Sequence, residues 1–81
     1  MSEELNTTGP SFGQRACGVS FNPGGLEEVN KIKEACANVV DILHTYRENT
    51  DDPEVKRMLS VAITDVQSGQ MWGVKGVTWN V

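Results

Sequence analysis

The sequence predicts an all-α protein: an antiparallel two-helix hairpin behind an N-terminal arm. Three observations carry that prediction. Residues 26–47 and 52–79 both repeat their apolar side chains at alternating steps of three and four, the period of a helix packed along one side. Between them lies only the polar turn Glu48-Asn49-Thr50-Asp51, which makes the two helices neighbours running in opposite directions. At 81 residues the chain has room for one small domain.

The arm comes first. Residues 1–14 are rich in Ser, Thr, Gly and Asn with one Pro, a composition expected of a flexible arm, so the domain is drawn over 15–81. Residues 15–25 read as a loop punctuated by Gly and Pro that nevertheless holds an aromatic ring, Phe21. That ring has two uses open to it. It either staples the next helix by packing on its first turn, or serves as a platform for stacking.

In the first helix Val29, Ile32, Cys36, Val39, Leu43 and Tyr46 form the predicted seam, with Val40 beside them. The pattern is coiled-coil-like over about three heptads. Lys31 falls on the far side of the wheel and is expected in water. Lys33 falls at the edge of the apolar stripe, where a lysine either snorkels along the seam or is held back to meet an anion. His44 is a lone histidine that nothing nearby connects with catalysis or a metal.

The second helix opens on a strong start signal. Asp52 can cap, Pro53 suits the first helical position, and Glu54 favours the positive end of the helix dipole. Val55, Leu59, Ala62, Val66, Gly69, Gly73 and Gly76 share one stripe of the wheel. Each glycine costs about 1 kcal/mol relative to Ala inside a helix. The segment is therefore either a frayed tail or a place where another backbone comes very close, and close crossing is the expectation tested below. The opposite side carries Thr64, Ser68, Met71, Lys75 and Thr78, flanked by Trp72 and Trp79. Lys75 can supply charge, the hydroxyls can bond phosphate or sugar, and either indole can stack on a base. The same residue types also make ordinary protein interfaces, so a partner helix is the competing occupant.

Composition narrows the classes. The net charge of −4 repels phosphate overall and argues against duplex DNA or RNA as a partner. No apolar run is long enough to span a membrane, and no signal-peptide pattern is expected at the start. Cys17 and Cys36 make neither a disulfide framework nor a metal site, which points to a cytoplasmic setting. There is no nucleophile elbow, phosphate-cradling loop or HExxH motif, so catalytic residues, metals and cofactors are all expected to be absent. A 38% hydrophobic chain of this size usually needs partners to complete its core, which predicts a homo-oligomer larger than a dimer.

Three ordered pieces then resemble a known family. They are Arg15-x-x-Gly18-x-Ser20-Phe21-Asn22-Pro23, Val29-Asn30-Lys31-Ile32-Lys33, and Ala62-x-Thr64 followed by Met71-Trp72-x-Val74-Lys75. In that order the chain resembles the small phage hairpin-domain sponges that counter CBASS and Thoeris immunity. Gly73 and Gly76 depart from the resemblance, standing where alanines are expected, and so does Gly24-Gly25 after Pro23. The resemblance implies a homohexamer in the cytoplasm of an infected bacterial host that sequesters cyclic di- or trinucleotides of CBASS without cleaving them. A cyclised ADP-ribose of Thoeris is the alternative ligand it implies, and a helical adaptor is the alternative class. It also implies a ligand site drawn from Arg15, Phe21 and Asn22, from Lys33, and from Thr64, Ser68, Met71, Trp72, Lys75 and Thr78. On this basis Lys33→Ala and Lys75→Ala are expected to weaken binding while sparing the fold.

Overall fold

The computed structural model describes residues 9–22 and 24–80. Among the described residues three helices occur in this order: α1 (Phe12–Ala16), α2 (Glu27–Glu48) and α3 (Pro53–Val77). No strand occurs among the described residues. α3 begins as its sequence dictates. Asp52 accepts a hydrogen bond from the Glu54 amide at 2.9 Å, with Pro53 in the first turn. α2 has a poorer start, because its N-cap is Leu26, whose side chain offers no acceptor; Glu27 and Glu28 supply negative charge there instead.

α2 and α3 pack on each other as a hairpin. Near the turn, the Arg47 guanidinium donates to Ser60 Oγ at 2.9 Å. Toward the open end, Ile32 lies beside Gly73. The whole measures 45 × 32 × 12 Å. Its thinnest dimension is much the smallest, so the helices form a flat body with two broad outer faces.

The segment expected to be an arm divides in two. Residues 1–8 lie outside the described residues, whereas residues 11–14 are firmly attached. Ser11 and Gln14 form a reciprocal capping box for α1, with Ser11 Oγ accepting from the Gln14 amide at 3.0 Å and the Ser11 amide donating to Gln14 Oε1 at 2.8 Å. Asp41 of α2 then holds this start from outside. Its carboxylate accepts from Ser11 Oγ and from the Gly13 amide, both at 2.7 Å. Phe12 stacks on His44 with centroids 4.1 Å apart, and the Arg47 guanidinium lies over the same ring. His44 is thus a packing residue.

This third helix rotates the core away from the predicted seam. The buried residues of α2 are Val29, Lys33, Ala37 and Val40, while Val39 and Tyr46 face outward. On α3 the buried positions are Ile63 and Gln70, each one residue on from the predicted Ala62 and Gly69. Cys17, Ala37, Val40 and Ile63 form the centre, joined by Phe12, Ala16, Val19, Cys36, Leu43 and Val66. A two-helix wheel expects one contact stripe per helix. Here α2 must serve α1 and α3 together, so its buried arc lies between them.

Candidate functional site

The site is built on the turn out of α1. Gly18 adopts φ +61°, the left-handed region that a glycine enters without penalty. Its amide donates to the Arg15 carbonyl at 3.2 Å, and the Val19 amide donates to the Gln14 carbonyl at 3.0 Å, which together close α1 with a Schellman turn. The chain then doubles back, with the Phe21 amide donating to the Gly18 carbonyl at 2.9 Å. Asn22 completes the loop by donating through Nδ2 to the Leu26 carbonyl at 3.0 Å and to Asn30 Oδ1 at 2.8 Å.

Lys33 anchors this loop from α2. It is only 6% exposed. Its ammonium donates to the Gly18 carbonyl at 3.1 Å and also to the Phe21 carbonyl, and it lies 5.4 Å from the centre of the Phe21 ring. Of the two sequence alternatives, snorkelling does not describe this arrangement. The lysine does not snorkel to water, and two of its three N–H groups are already engaged with backbone. Phe21 itself is 71% exposed, so it does not staple α2 by packing on the first turn. The ring stands open with the Lys33 ammonium over it.

Two notches flank that pair. One, of about 270 Å³, is largely apolar and is walled by Phe21, Leu26, Val29, Val74 and Thr78, with Asn22 and Lys33 at its edge. The other, of about 320 Å³, is more polar and is walled by Arg15, Phe21, Lys33, Gln70 and Met71. The fold therefore gathers Arg15, Phe21, Asn22, Lys33, Met71 and Thr78 around one centre. Thr78 reaches it through its position at the end of α3, although its hydroxyl donates to the Val74 carbonyl at 2.7 Å.

The remaining predicted positions lie elsewhere on this chain. Thr64 is exposed, and its hydroxyl donates to the Ser60 carbonyl at 3.1 Å. Ser68 walls neither notch. Trp72, Lys75 and Trp79 make a separate exposed group, with the Lys75 ammonium 5.3 Å from the Trp72 ring and 5.9 Å from the Trp79 ring. Sequence reasoning also passed over Gln67 and Gln70. Gln67 Nε2 donates to the Ala16 carbonyl at 3.0 Å, tying α3 to the end of α1. No local pattern marks either glutamine, because what each one faces is decided by a segment some fifty residues away.

The glycine stripe is only partly explained within the chain. A Cβ on Gly73 would meet Ile32 at 3.9 Å, an ordinary contact, while one on Gly69 or Gly76 would meet nothing within 4 Å. No close backbone crossing over the stripe exists inside the hairpin.

Cys17 lies behind the loop in the core. Burial pushes its thiol up from the usual range, with the charges of Cys36 and Asp41 acting the same way, and Lys33 opposes them. It is an inert core thiol. Among the described residues no cluster of His, Cys, Asp and Glu is arranged to hold a metal ion, and no helix is long and apolar enough to cross a membrane.

Neither the curated proteins nor the solved structures yield a match to this chain. A family model does: the one described as Acb2/Tad1, hairpin domain, matches residues 14–78. That span takes in most of α1, the Lys33-anchored loop, both notches and all of the hairpin. The chain therefore belongs to the Acb2/Tad1 hairpin-domain family, the anti-CBASS and anti-Thoeris sponges of phages.

Proposed function

We propose that this protein is a phage anti-defence sponge that binds cyclic oligonucleotide messengers of CBASS, cyclic di- or trinucleotides, and withholds them without cleavage. The observation that carries the reading is the exposed Phe21 ring over the buried Lys33 ammonium, with an apolar and a polar notch on either side. A base stacks on the ring, an interaction worth about 1–3 kcal/mol. A phosphate takes the third N–H of Lys33 and the guanidinium of Arg15. Asn22 and Thr78 border the apolar notch, and Met71 borders the polar one.

The working form in this reading is a homo-oligomer of antiparallel hairpins larger than a dimer, a hexamer, in the cytoplasm of the infected host. So flat a body leaves Ile42, Tyr46, Met58, Val61, Trp72 and Trp79 exposed, and copies of the chain are the natural cover for them. Assembly also gives Thr64, Ser68, Trp72 and Lys75 a way to serve the site. They are too far round α3 to reach their own notches, but a neighbouring copy can present them to another chain's Lys33. The Gly69 and Gly76 positions, open within the chain, then mark where a second backbone crosses.

The test is calorimetry and thermal shift against cyclic di-AMP, cyclic GMP-AMP, cyclic tri-AMP and a cyclised ADP-ribose. Ligand binding to the native state raises apparent stability by mass action. Binding of the di- or trinucleotides, with the ligand recovered intact after heat denaturation, supports the proposal. Binding of the cyclised ADP-ribose alone replaces CBASS with Thoeris. No heat and no shift with any member of the panel refutes the sponge reading and leaves the helical adaptor.

A further inference from the structure

α3 presents two glutamines, one turn apart, toward the segment before α2, and the fold treats them differently. The Gln67 amide is bonded to the Ala16 carbonyl. Gln70 is more deeply set, 7% exposed, yet no hydrogen bond ties its amide to another described residue. It is not an orphan sealed in the core, since no fully buried polar side-chain atom among the described residues lacks a partner. Gln70 lines the polar notch together with Arg15, Phe21, Lys33 and Met71. A polar residue this buried, with no partner among the described residues and at the wall of a cavity, is a candidate to bond a ligand.

We infer that Gln70 sets base choice, by reading an adenine that enters the polar notch; this rests on the sponge reading above. A primary amide offers an acceptor beside a donor. The N6 amino group and N7 of adenine offer the complementary donor and acceptor, giving two parallel hydrogen bonds. The same edge of guanine presents two acceptors, N7 and O6, and would set one of them against Oε1. The surroundings suit such a base. The Phe21 ring lines the same notch and supplies a stacking face, Met71 adds a polarisable wall, and Arg15 stands beside them for the adjoining phosphate.

The experiment is calorimetry on the full chain with cyclic di-AMP and cyclic di-GMP, probes of equal ring size and linkage. Wild type is expected to prefer cyclic di-AMP by about tenfold, the scale of one good bidentate pair. Gln70→Met keeps the buried stem and removes the amide; Gln70→Glu keeps an acceptor and removes the donor. Gln70→Met is expected to bring the two affinities within about twofold of each other, chiefly by weakening cyclic di-AMP, whereas Gln70→Glu still accepts from adenine N6 and sets its oxygens against both guanine acceptors, so it should keep cyclic di-AMP ahead. A merely structural glutamine would weaken both probes alike and leave the ratio standing. A third measurement needs no variant: replacing adenine N7 by carbon in the cyclic dinucleotide should weaken binding to wild type about tenfold. A wild type indifferent to the base, a Gln70→Met variant that keeps the adenine preference, or a 7-deaza probe bound at full strength each overturns the inference while leaving the sponge intact. Failure of wild type to bind any cyclic nucleotide is a separate result, and it removes the sponge reading itself.

Discussion

Lys33→Met is the most informative perturbation of the loop, because methionine keeps most of the buried stem and removes only the ammonium. Two hydrogen bonds disappear, to the Gly18 and Phe21 carbonyls. A hydrogen bond to a charged group contributes about 1.5–3 kcal/mol net. Two that share one ammonium do not simply add, and the Phe21 carbonyl sits in a loop whose own ring is open to water and can rehydrate. The contact with the Phe21 ring adds about 0.5–1 kcal/mol at most at so exposed a ring. Against these, the fold no longer has to bury a charge, which recovers part of the loss. The balance is a destabilisation of about 2 kcal/mol, set by one bond's worth of loop anchoring. For a domain of this size that lowers Tm by about 8–16 °C. Lys33→Ala should fall further, since its missing methylenes contribute about 0.8 kcal/mol each.

The assay is thermal denaturation together with amide exchange, following the Phe21 amide that donates to Gly18. Exchange there should accelerate more than at Val40 in the core, because the loop loses its tether before the hairpin loses its packing. A Tm within about 2 °C of wild type, with unchanged protection at Phe21, would refute the anchoring role. The sequence alone expects Lys33→Ala to leave the fold untouched. The geometry predicts that fold and binding suffer together, so Lys75→Ala, on the exposed indole group, becomes the cleaner test of charge in binding.

Other outcomes follow from the same geometry. Phe21→Ala should keep Tm within about 3 °C, since its ring is exposed, while weakening cyclic dinucleotide affinity by about 1–3 kcal/mol in calorimetry; a collapse of the fold would restore the staple. Gly13→Ala should destabilise by about 1–3 kcal/mol in urea, because the new Cβ would strike the Ala37 carbonyl and come within 2.7 Å of Asp41 Oδ1; any stabilisation from better helix propensity would contradict the close docking of α1. Gly69→Leu should break assembly in light scattering without lowering hairpin helicity, as nothing in the chain lies within 4 Å of a Cβ there; an unchanged mass would end the close-crossing idea. For Cys17 the folded thiol pKa is raised, so its stabilisation is complete below the unfolded value of about 8.5 and fades as pH climbs through the folded value. Wild-type Tm should therefore fall more steeply than that of Cys17→Ala above about pH 9, and equal slopes would deny the thiol its part.

What the sequence revealed and what it withheld divide by range. The bounds of α2 and α3 were legible to within two residues, because caps, periodicity and a four-residue turn are all local signals. α1 carried a local signal too, the Ser-x-x-Gln of its capping box, but five residues are too few to show a period. What holds it is Asp41, twenty-eight and thirty positions from its partners, and no window on the sequence spans that. Once α1 is unseen, the rest of the error is geometric. A wheel with one neighbour centres the buried arc on Cys36 and Val39. Adding a second neighbour turns it toward Lys33, Ala37 and Val40, exposing Val39 and Tyr46. The site suffered in the same way, for Phe21, Lys33 and Met71 were found by type and motif, whereas Gln70 is identified only by what it faces.

The acidity of the chain and the anion it is proposed to hold are reconciled by how the loop treats Lys33. Net charge acts at a distance and is screened beyond about 8 Å at physiological salt, so inside a notch the nearby groups decide. The ion pairs among the described residues, Lys31 with Glu27 and Arg57 with Glu54, are exposed and lie away from both notches. Lys33 meets no carboxylate among those residues; it is solvated by the carbonyls of Gly18 and Phe21. Carbonyl dipoles lower the cost of burying an ammonium but do not cancel its charge, as a carboxylate would. No carboxylate of the described residues thus compensates the cation, in a region where burial weakens screening. A phosphate arriving there displaces no carboxylate of the described residues. The hydrogen bonds that shape the loop and lift Phe21 into the open are also those that leave the charge available.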